Sequence, residues 1–542
     1  SIMVFLRILF SLSFVLGQHV HVVVDVKKIL AQVDDSFLSF NIDAASLYEG
    51  PKSNTSRVNF TNQGLRDVAS TFCQAGGGAI LRIGGSSADD LFFFETPAKN
   101  PPAPPGVAQE IIVESGYWDE LMEFVDHTQC KLVWDLCALS MRNPDNTWNS
   151  TNAEKLLTHI HSKKQPVHAF QLGNEPGHWF TRHYPDGPNA KQLGKGFNDL
   201  QGLIDKIWGS AAGRPGVQGP DVCNGHLTDT NPCATPDFFG NILRNAQGSV
   251  DEVTVHYYGL IGPKDPNHTN CHLADFMDPA VVFNTTNDQI LSTYSHLQQL
   301  YSPASKLVLG ETATTGDGGC PGLSNTFAAG FWYTYQLGRV ASLGYNKLYR
   351  QDLIGYSGIG GGSSYALAGD PGWTGGDEQP ALHPNPDFFT SLLHKELTGS
   401  RTLAATTTTT ATAAPTAVLH ASCARHIAGV GQGALVLSFV NLAATEAETI
   451  VTASDGTQIA TNSRIEYFMA PASVTTGSAP VSAPNFASRF LSLNGSPALS
   501  APKQAADLLS LGRHIQDGTA LRLPPLSYGF VVLPEAQAPA CV

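Results

Sequence analysis

The chain has 542 residues, 42% hydrophobic and 14% charged, a balance that buries a substantial core and excludes a disordered polypeptide. Its formal net charge of -14, from 32 basic against 46 acidic residues, argues against a phosphate-coating surface and so against nucleic-acid partners. The length suits one domain of roughly 300 residues joined to a smaller one.

Residues 1–17, SIMVFLRILFSLSFVLG, are apolar apart from Arg7 and a few serines and precede polar sequence. The stretch is short for a membrane span and suits a signal peptide; a membrane anchor is the alternative. N-x-S/T sequons at Asn54, Asn59, Asn149, Asn267, Asn284 and Asn494 favour the secretory route, which makes the protein secreted or lysosomal. Residues 18–36 include the strand-like run HVHVVVDV, expected to join the second domain.

From Phe37 to 398, short apolar runs alternate with amphipathic stretches. The runs are FLSFNIDA from Phe37, AILRIGG from Ala79, KLVWDLCA from Lys131, HAFQLGNE from His168, VQGPDV from Val217, EVTVHYY from Glu252, KLVLGET from Lys306 and KLYRQDL from Lys347. Helical patterns lie between them, for example from Thr61, Asn152 and Ser324. Such alternation predicts a (β/α)8 TIM barrel with its chemistry at the C-terminal ends of the strands. The segment ETPAKNPPAPPGVAQE from Glu95 reads as an extended surface loop. Over 399–542 the texture turns to Thr, Ala and Ser with β-branched runs, which predicts an antiparallel β-sandwich. The run TTTTTATAAPTA from Thr406 reads as a loop, an O-glycosylated patch or a ragged edge strand.

Two glutamates close strand-like runs: Glu175 in QLGNEP and Glu311 in VLGET, on the fourth and seventh strands. Those strand ends face each other across a barrel top, so the two carboxyls can flank one bond. Glycoside hydrolysis with retention needs such a pair, about 5 to 5.5 Å apart. Glu175 is read as the general acid/base and Glu311 as the nucleophile. Asn174, beside Glu175, is placed to bond a sugar 2-hydroxyl, a contact that strengthens in the transition state. The nine cysteines show no CxxC or Cys/His spacing for zinc, so disulfides are expected and no metal site.

The motifs RIGGSSADDLFFFE, TWNSTNAEKLL, FQLGNEPGHW, VTVHYYGL, LGETATTGDGGCPGLSNTFAAGF, YRQDLIGY and LPPLSYGFVVLPEAQAPACV together resemble the heparanase-like group of retaining β-glucuronidases. The resemblance implies the same barrel and β-sandwich, a carbohydrate substrate and no cofactor; a monomer is expected. It implies that Asp43 and Ser86 line the sugar site, that His256 and Tyr258 support the nucleophile, and that Gln351 reaches the sugar. It further implies that the amides of Gly318 and Gly319, with Tyr365, hold a glucuronide carboxylate, and that Cys423 pairs with Cys541. Cys73, Cys130, Cys137, Cys223, Cys233, Cys271 and Cys320 are left unpaired by this reading.

The chain departs from the family in its turn GDGG, which sets Asp317 near the proposed uronate pocket, and in the longer segment before Tyr365. It also lacks the basic clusters that hold sulfated chains: EIIVESGYWDEL from Glu110 and GPDVCNGHLTDTNPCATPDFF from Gly219 contain no Lys or Arg. Hydrolysis of β-glucuronides is therefore the first reading. An endo-acting heparanase and a non-catalytic glycan-binding relative are the alternatives.

Overall fold

The computed structural model describes residues 18–48, 57–95, 111–177, 189–211, 213–223, 236–260, 271–356, 363–370, 373–376, 380–409, 415–426, 430–472, 484–501, 505–516 and 518–542. The signal-peptide stretch, nearly all of the Pro-rich loop, Asn54, Asn267 and Cys233 lie outside them. No helix among the described residues is long and apolar enough to cross a membrane.

The first strands are β1 (Gln18–Gln32), β2 (Leu38–Asp43), β3 (Ile80–Gly84), β4 (Leu91–Phe94), β5 (Ile111–Glu114) and β6 (Lys131–Leu136). Then come β7 (Ala169–Leu172), β8 (Gly216–Val222), β9 (Glu252–Leu260), β10 (Lys306–Thr315) and β11 (Lys347–Arg350). Strands β2, β3 and β6 to β11 pair in parallel in chain order, and β11 returns to β2 to close an eight-stranded barrel. Every residue of β2, β3, β7 and β11 is buried, as parallel strands wrapped by helices must be. The helix Gln63–Gln74 buries one stripe, Leu65, Val68, Ala69, Phe72 and Cys73, and Asn62 caps it by accepting from Leu65 N. A disulfide joins Cys73 on that helix to Cys130 at the start of β6. The parallel pair β4–β5 is an addition that the strand pattern did not suggest.

The remaining strands are β12 (Thr398–Thr409), β13 (Ala417–Ala424), β14 (Leu435–Asn441), β15 (Ala447–Ala453), β16 (Arg464–Ala472), β17 (Phe490–Leu493), β18 (Arg513–Ile515), β19 (Leu521–Leu523) and β20 (Ser527–Leu533). With β1 they form a separate, mostly antiparallel sheet of ten strands, ordered β17-β16-β20-β14-β13-β12-β1-β15-β19 with β18 on β16. The alternation in HVHVVVDV explains the place of β1: Val20, Val22, Val24 and Val26 are buried on one face while the strand pairs antiparallel to β12 and parallel to β15. Thr406 to Thr409 are therefore inside the sheet, paired with Val20 to Val23, and not a ragged edge. Cys423 and Cys541 form a disulfide.

The sheet packs on the helix Ala329–Ser342, which is buried at nearly every position. Glycine makes the approach close enough: a Cβ at Gly330 would lie 2.1 Å from the Tyr528 hydroxyl, and one at Gly338 2.5 Å from the His420 ring.

Candidate active site

The site lies at the C-terminal ends of the barrel strands, and small backbone irregularities aim its side chains. On β10 the pairing with β9 slips between Leu309 and Glu311, so Gly310 is the extra residue of a bulge and Glu311 stands opposite His256. A second slip, between Gly219 and Val222 of β8, turns Asp221 inward with φ 51°. Glu175 follows β7 after Gly173 (φ 76°), itself has φ 45°, and donates its backbone N–H to the Asp221 carbonyl at 3.0 Å. A non-glycine residue in the left-handed region marks a backbone held there by its surroundings.

These turns bring Glu175 and Glu311 together. An oxygen of each, with one ring nitrogen of His256, all lie within 4.8 Å of one another. Carboxyls brought this close are on the scale of a retaining pair, in which one attacks an anomeric carbon while the other protonates the leaving oxygen. The Tyr258 hydroxyl donates to Glu311 Oε1. His256, expected beside the nucleophile, sits between both glutamates, its Nδ1 3.0 Å from Glu175 Oε1 and 3.7 Å from Glu311 Oε2, with Nε2 3.4 Å from Asp221 Oδ1. Burial alone pushes this imidazole down, but Glu311 and Asp221 outweigh it and raise its pKa to about 10. The Arg82 guanidinium supplies a second positive charge beside Glu311, at 3.0 Å from Oε2.

Arg82 is the group the sequence reading missed, together with Asp221 and Asp135. It is fully buried on β3 and donates to Gln171 Oε1 at 2.6 Å, Asn174 Oδ1 at 2.8 Å, Asp221 Oδ2 at 2.9 Å and Glu311 Oε2 at 3.0 Å, with Asp135 3.7 Å away. The signal was present: an arginine inside the apolar run AILRIGG is too costly to bury without partners. Gly84 makes the room, since a Cβ there would lie 2.5 Å from the guanidinium carbon. Burial raises the pKa of Asp221, yet Arg82 and then His256 hold it below the usual carboxylate range. Asp135 is pushed well above that range by burial, and neither of its oxygens has a hydrogen-bond partner among the described residues.

Asn174 is 2% exposed, and its Oδ1 accepts from Arg82. Asp43 does two jobs: Oδ1 caps the turn after β2 by accepting from Ala45 N at 2.9 Å, and Oδ2 accepts from Gln351 Nε2 at 2.9 Å. Burial and the Glu311 charge push Asp43 up to about 7. Ser86 is exposed in the loop after β3, next to Gly85, which lies against the Asp43 carboxylate.

In the turn after β10, Gly318 and Gly319 are buried at φ 83° and 84°, while Asp317 is exposed. The Gly319 amide does not serve as the expected anion donor, because it closes the turn on the Gly316 carbonyl at 2.9 Å. Gly319 instead makes room for Tyr365, whose ring a Cβ there would approach to 3.0 Å. Tyr365 stacks on Tyr258 at 6.2 Å between centroids. A disulfide joins Cys271 to Cys320, directly after this turn, and Cys137 remains a buried thiol.

Comparison with known proteins agrees with this geometry. The model of "Glycosyl hydrolase family 79, N-terminal domain" matches residues 19–338. Mouse heparanase is 28% identical over 567 residues, covering 95% of this chain and 93% of its own, and human inactive heparanase-2 is 30% identical over 294 residues, covering 54% and 44%. The fold is similar to that of the GH51 arabinofuranosidase from Xanthomonas axonopodis pv. citri, with TM-score 0.61 at 14% identity over 95% of this chain and 100% of that one. With a family match over more than half its length and a glutamate pair at the barrel mouth, this chain is a glycoside hydrolase that belongs to glycosyl hydrolase family 79.

Proposed function

We propose that this protein is a retaining β-glucuronidase acting on glucuronides or short glycans. The observation that carries the reaction is the Glu175–Glu311 spacing within 4.8 Å. Glu311 attacks the anomeric carbon while Glu175 protonates the departing oxygen, giving a glycosyl ester on Glu311. Water, deprotonated by Glu175, then attacks the same carbon and frees Glu311. The Tyr258 hydrogen bond and the Arg82 contact fix the nucleophile's two oxygens. His256 keeps a proton one hydrogen bond from Glu175 Oε1, and Asn174 offers its amide to the 2-hydroxyl.

The uronate reading is supported by the left-handed turn at Gly318 and Gly319, whose backbone suits an anion and which packs through Gly319 on Tyr365. Asp317 is exposed, so solvent screens its charge. A chromogenic β-glucuronide tested against the matching β-glucoside checks this: wild type hydrolyses the glucuronide in preference, and Glu311→Gln loses on the order of 10⁴-fold in kcat. Activity equal in wild type and Glu311→Gln would refute the nucleophile, and activity on the glucoside alone would refute the uronate.

A second reading, endo-cleavage of heparan sulfate, is favoured by the heparanase match over 95% of the chain. It requires salt-dependent binding to heparin beyond ordinary ion exchange, which the missing basic clusters argue against. Residence in the secretory pathway is supported by three disulfides among the described residues.

A further inference from the structure

We propose that the Cys271–Cys320 disulfide is a specificity-determining clamp, which holds the Gly316–Gly319 turn in the shape that receives the carboxylate of a uronic acid. The inference rests on the uronate reading above and adds the device that makes the pocket. Three consecutive residues of the turn are left-handed: Asp317 at φ 49°, Gly318 at 83° and Gly319 at 84°. Glycines lose more backbone freedom on ordering than any other residue, so a turn with two of them in succession gains order from each added tie. The Gly319 amide is spent on the turn itself, so the anion is received by the amides before it, at Asp317 and Gly318, which point together only while the turn keeps its shape.

Among the described residues the non-covalent ties on it include Gly319 N to Gly316 O at 2.9 Å, Ser364 N to Gly318 O at 2.5 Å, and Cys320 N to Ser324 Oγ at 2.8 Å, with Ser324 Oγ also 2.8 Å from Thr315 Oγ1. The disulfide adds a covalent tie at the next residue. Cys320 is 1% exposed, and its partner Cys271 belongs to the connection after β9, so the bridge joins the loops that follow the two strands bearing Tyr258 and Glu311. It spans 49 residues of sequence. A bridge placed directly after the anion turn pre-orders it before the ligand arrives, which raises affinity by removing an ordering cost from binding. Tyr258 touches the turn through Gly316 and Tyr365 but is also fixed by its own strand and by Glu311, so loosening the turn acts first on carboxylate binding and leaves the nucleophile's hydrogen bond in place.

Cys271 and Cys320 are thus positioning residues, and the KM-against-kcat split reads their effect. In the full chain, the double variant Cys271→Ser/Cys320→Ser is expected to raise KM for an aryl β-glucuronide roughly tenfold while kcat stays within about threefold. Ser324→Ala removes a tie on the same turn without touching the disulfide, and it is expected to shift KM in the same direction by less. Should the double variant fail to fold by near-UV circular dichroism, Ser324→Ala carries the test. An unchanged KM, or a kcat that falls as far as kcat/KM, overturns the clamp. A wild type without preference for the glucuronide over the glucoside overturns the uronate reading and the clamp together, whereas a wild-type preference that persists undiminished in the variants overturns the clamp alone.

Discussion

Replacing Arg82 by methionine tests the electrostatic frame of the site most directly. The guanidinium is completely buried, makes four hydrogen bonds of 2.6 to 3.0 Å, and faces Asp221, Glu311 and Asp135. Methionine keeps most of the volume and removes the charge. Breaking a buried ion pair from one side costs about 3 to 5 kcal/mol, because the partner charge stays behind. That is a large share of a typical total of about 5 to 15 kcal/mol.

The pH dependence carries a sign. Burial raises the pKa of Asp221, but Arg82 and His256 depress it below its unfolded value, so its contribution is present above about pH 4 and is lost as pH falls through the folded value. Without Arg82 the burial effect gains ground, the carboxyl titrates higher, and the ionised form is penalised. The stability deficit of Arg82→Met is therefore greatest near neutral pH and shrinks toward pH 4. Urea unfolding of wild type and variant between pH 4 and 8 measures it. A deficit under about 1 kcal/mol, or one independent of pH, would refute the reasoning.

Tyr258→Phe removes the hydroxyl that donates to Glu311 and leaves the ring stacked on Tyr365. A hydrogen bond to a charged group is worth about 1.5 to 3 kcal/mol, so kcat should fall roughly 10- to 100-fold with little change in thermal stability; a variant that unfolds early would show the hydroxyl to be structural. Asp43→Asn should stabilise the enzyme progressively as pH rises from about 4 to about 7, because the folded carboxyl is pushed up to about 7 while the unfolded one ionises near 3.9. A wild-type-to-variant difference that is flat across that range would contradict the burial of Asp43 beside the Glu311 charge.

Much of the fold was legible because its signals are periodic. Alternating valines marked β1, the eight apolar runs marked the barrel strands, and a stripe such as Leu65, Val68, Ala69 and Phe72 marked a helix. The pair β4–β5 escaped because LFFF and IIVE are short, with the Pro-rich stretch between them. Glu175 and Glu311 were legible for a local reason as well, since each follows an apolar run and a glycine, Gly173 two residues before Glu175 and Gly310 directly before Glu311, where the backbone turns or bulges.

By itself the sequence determined the barrel, the second sheet and the two carboxylates, because these depend on patterns within a few residues of each other. Tertiary structure alone decided the electrostatics between them. Arg82, Asp221 and His256 come from three different strands, and what each holds depends on distances of about 3 Å that no local pattern encodes. The same holds for Gly319, whose amide a motif offers to a ligand but whose turn uses it internally, and for Cys271 and Cys320, which meet only because β9 and β10 lie side by side.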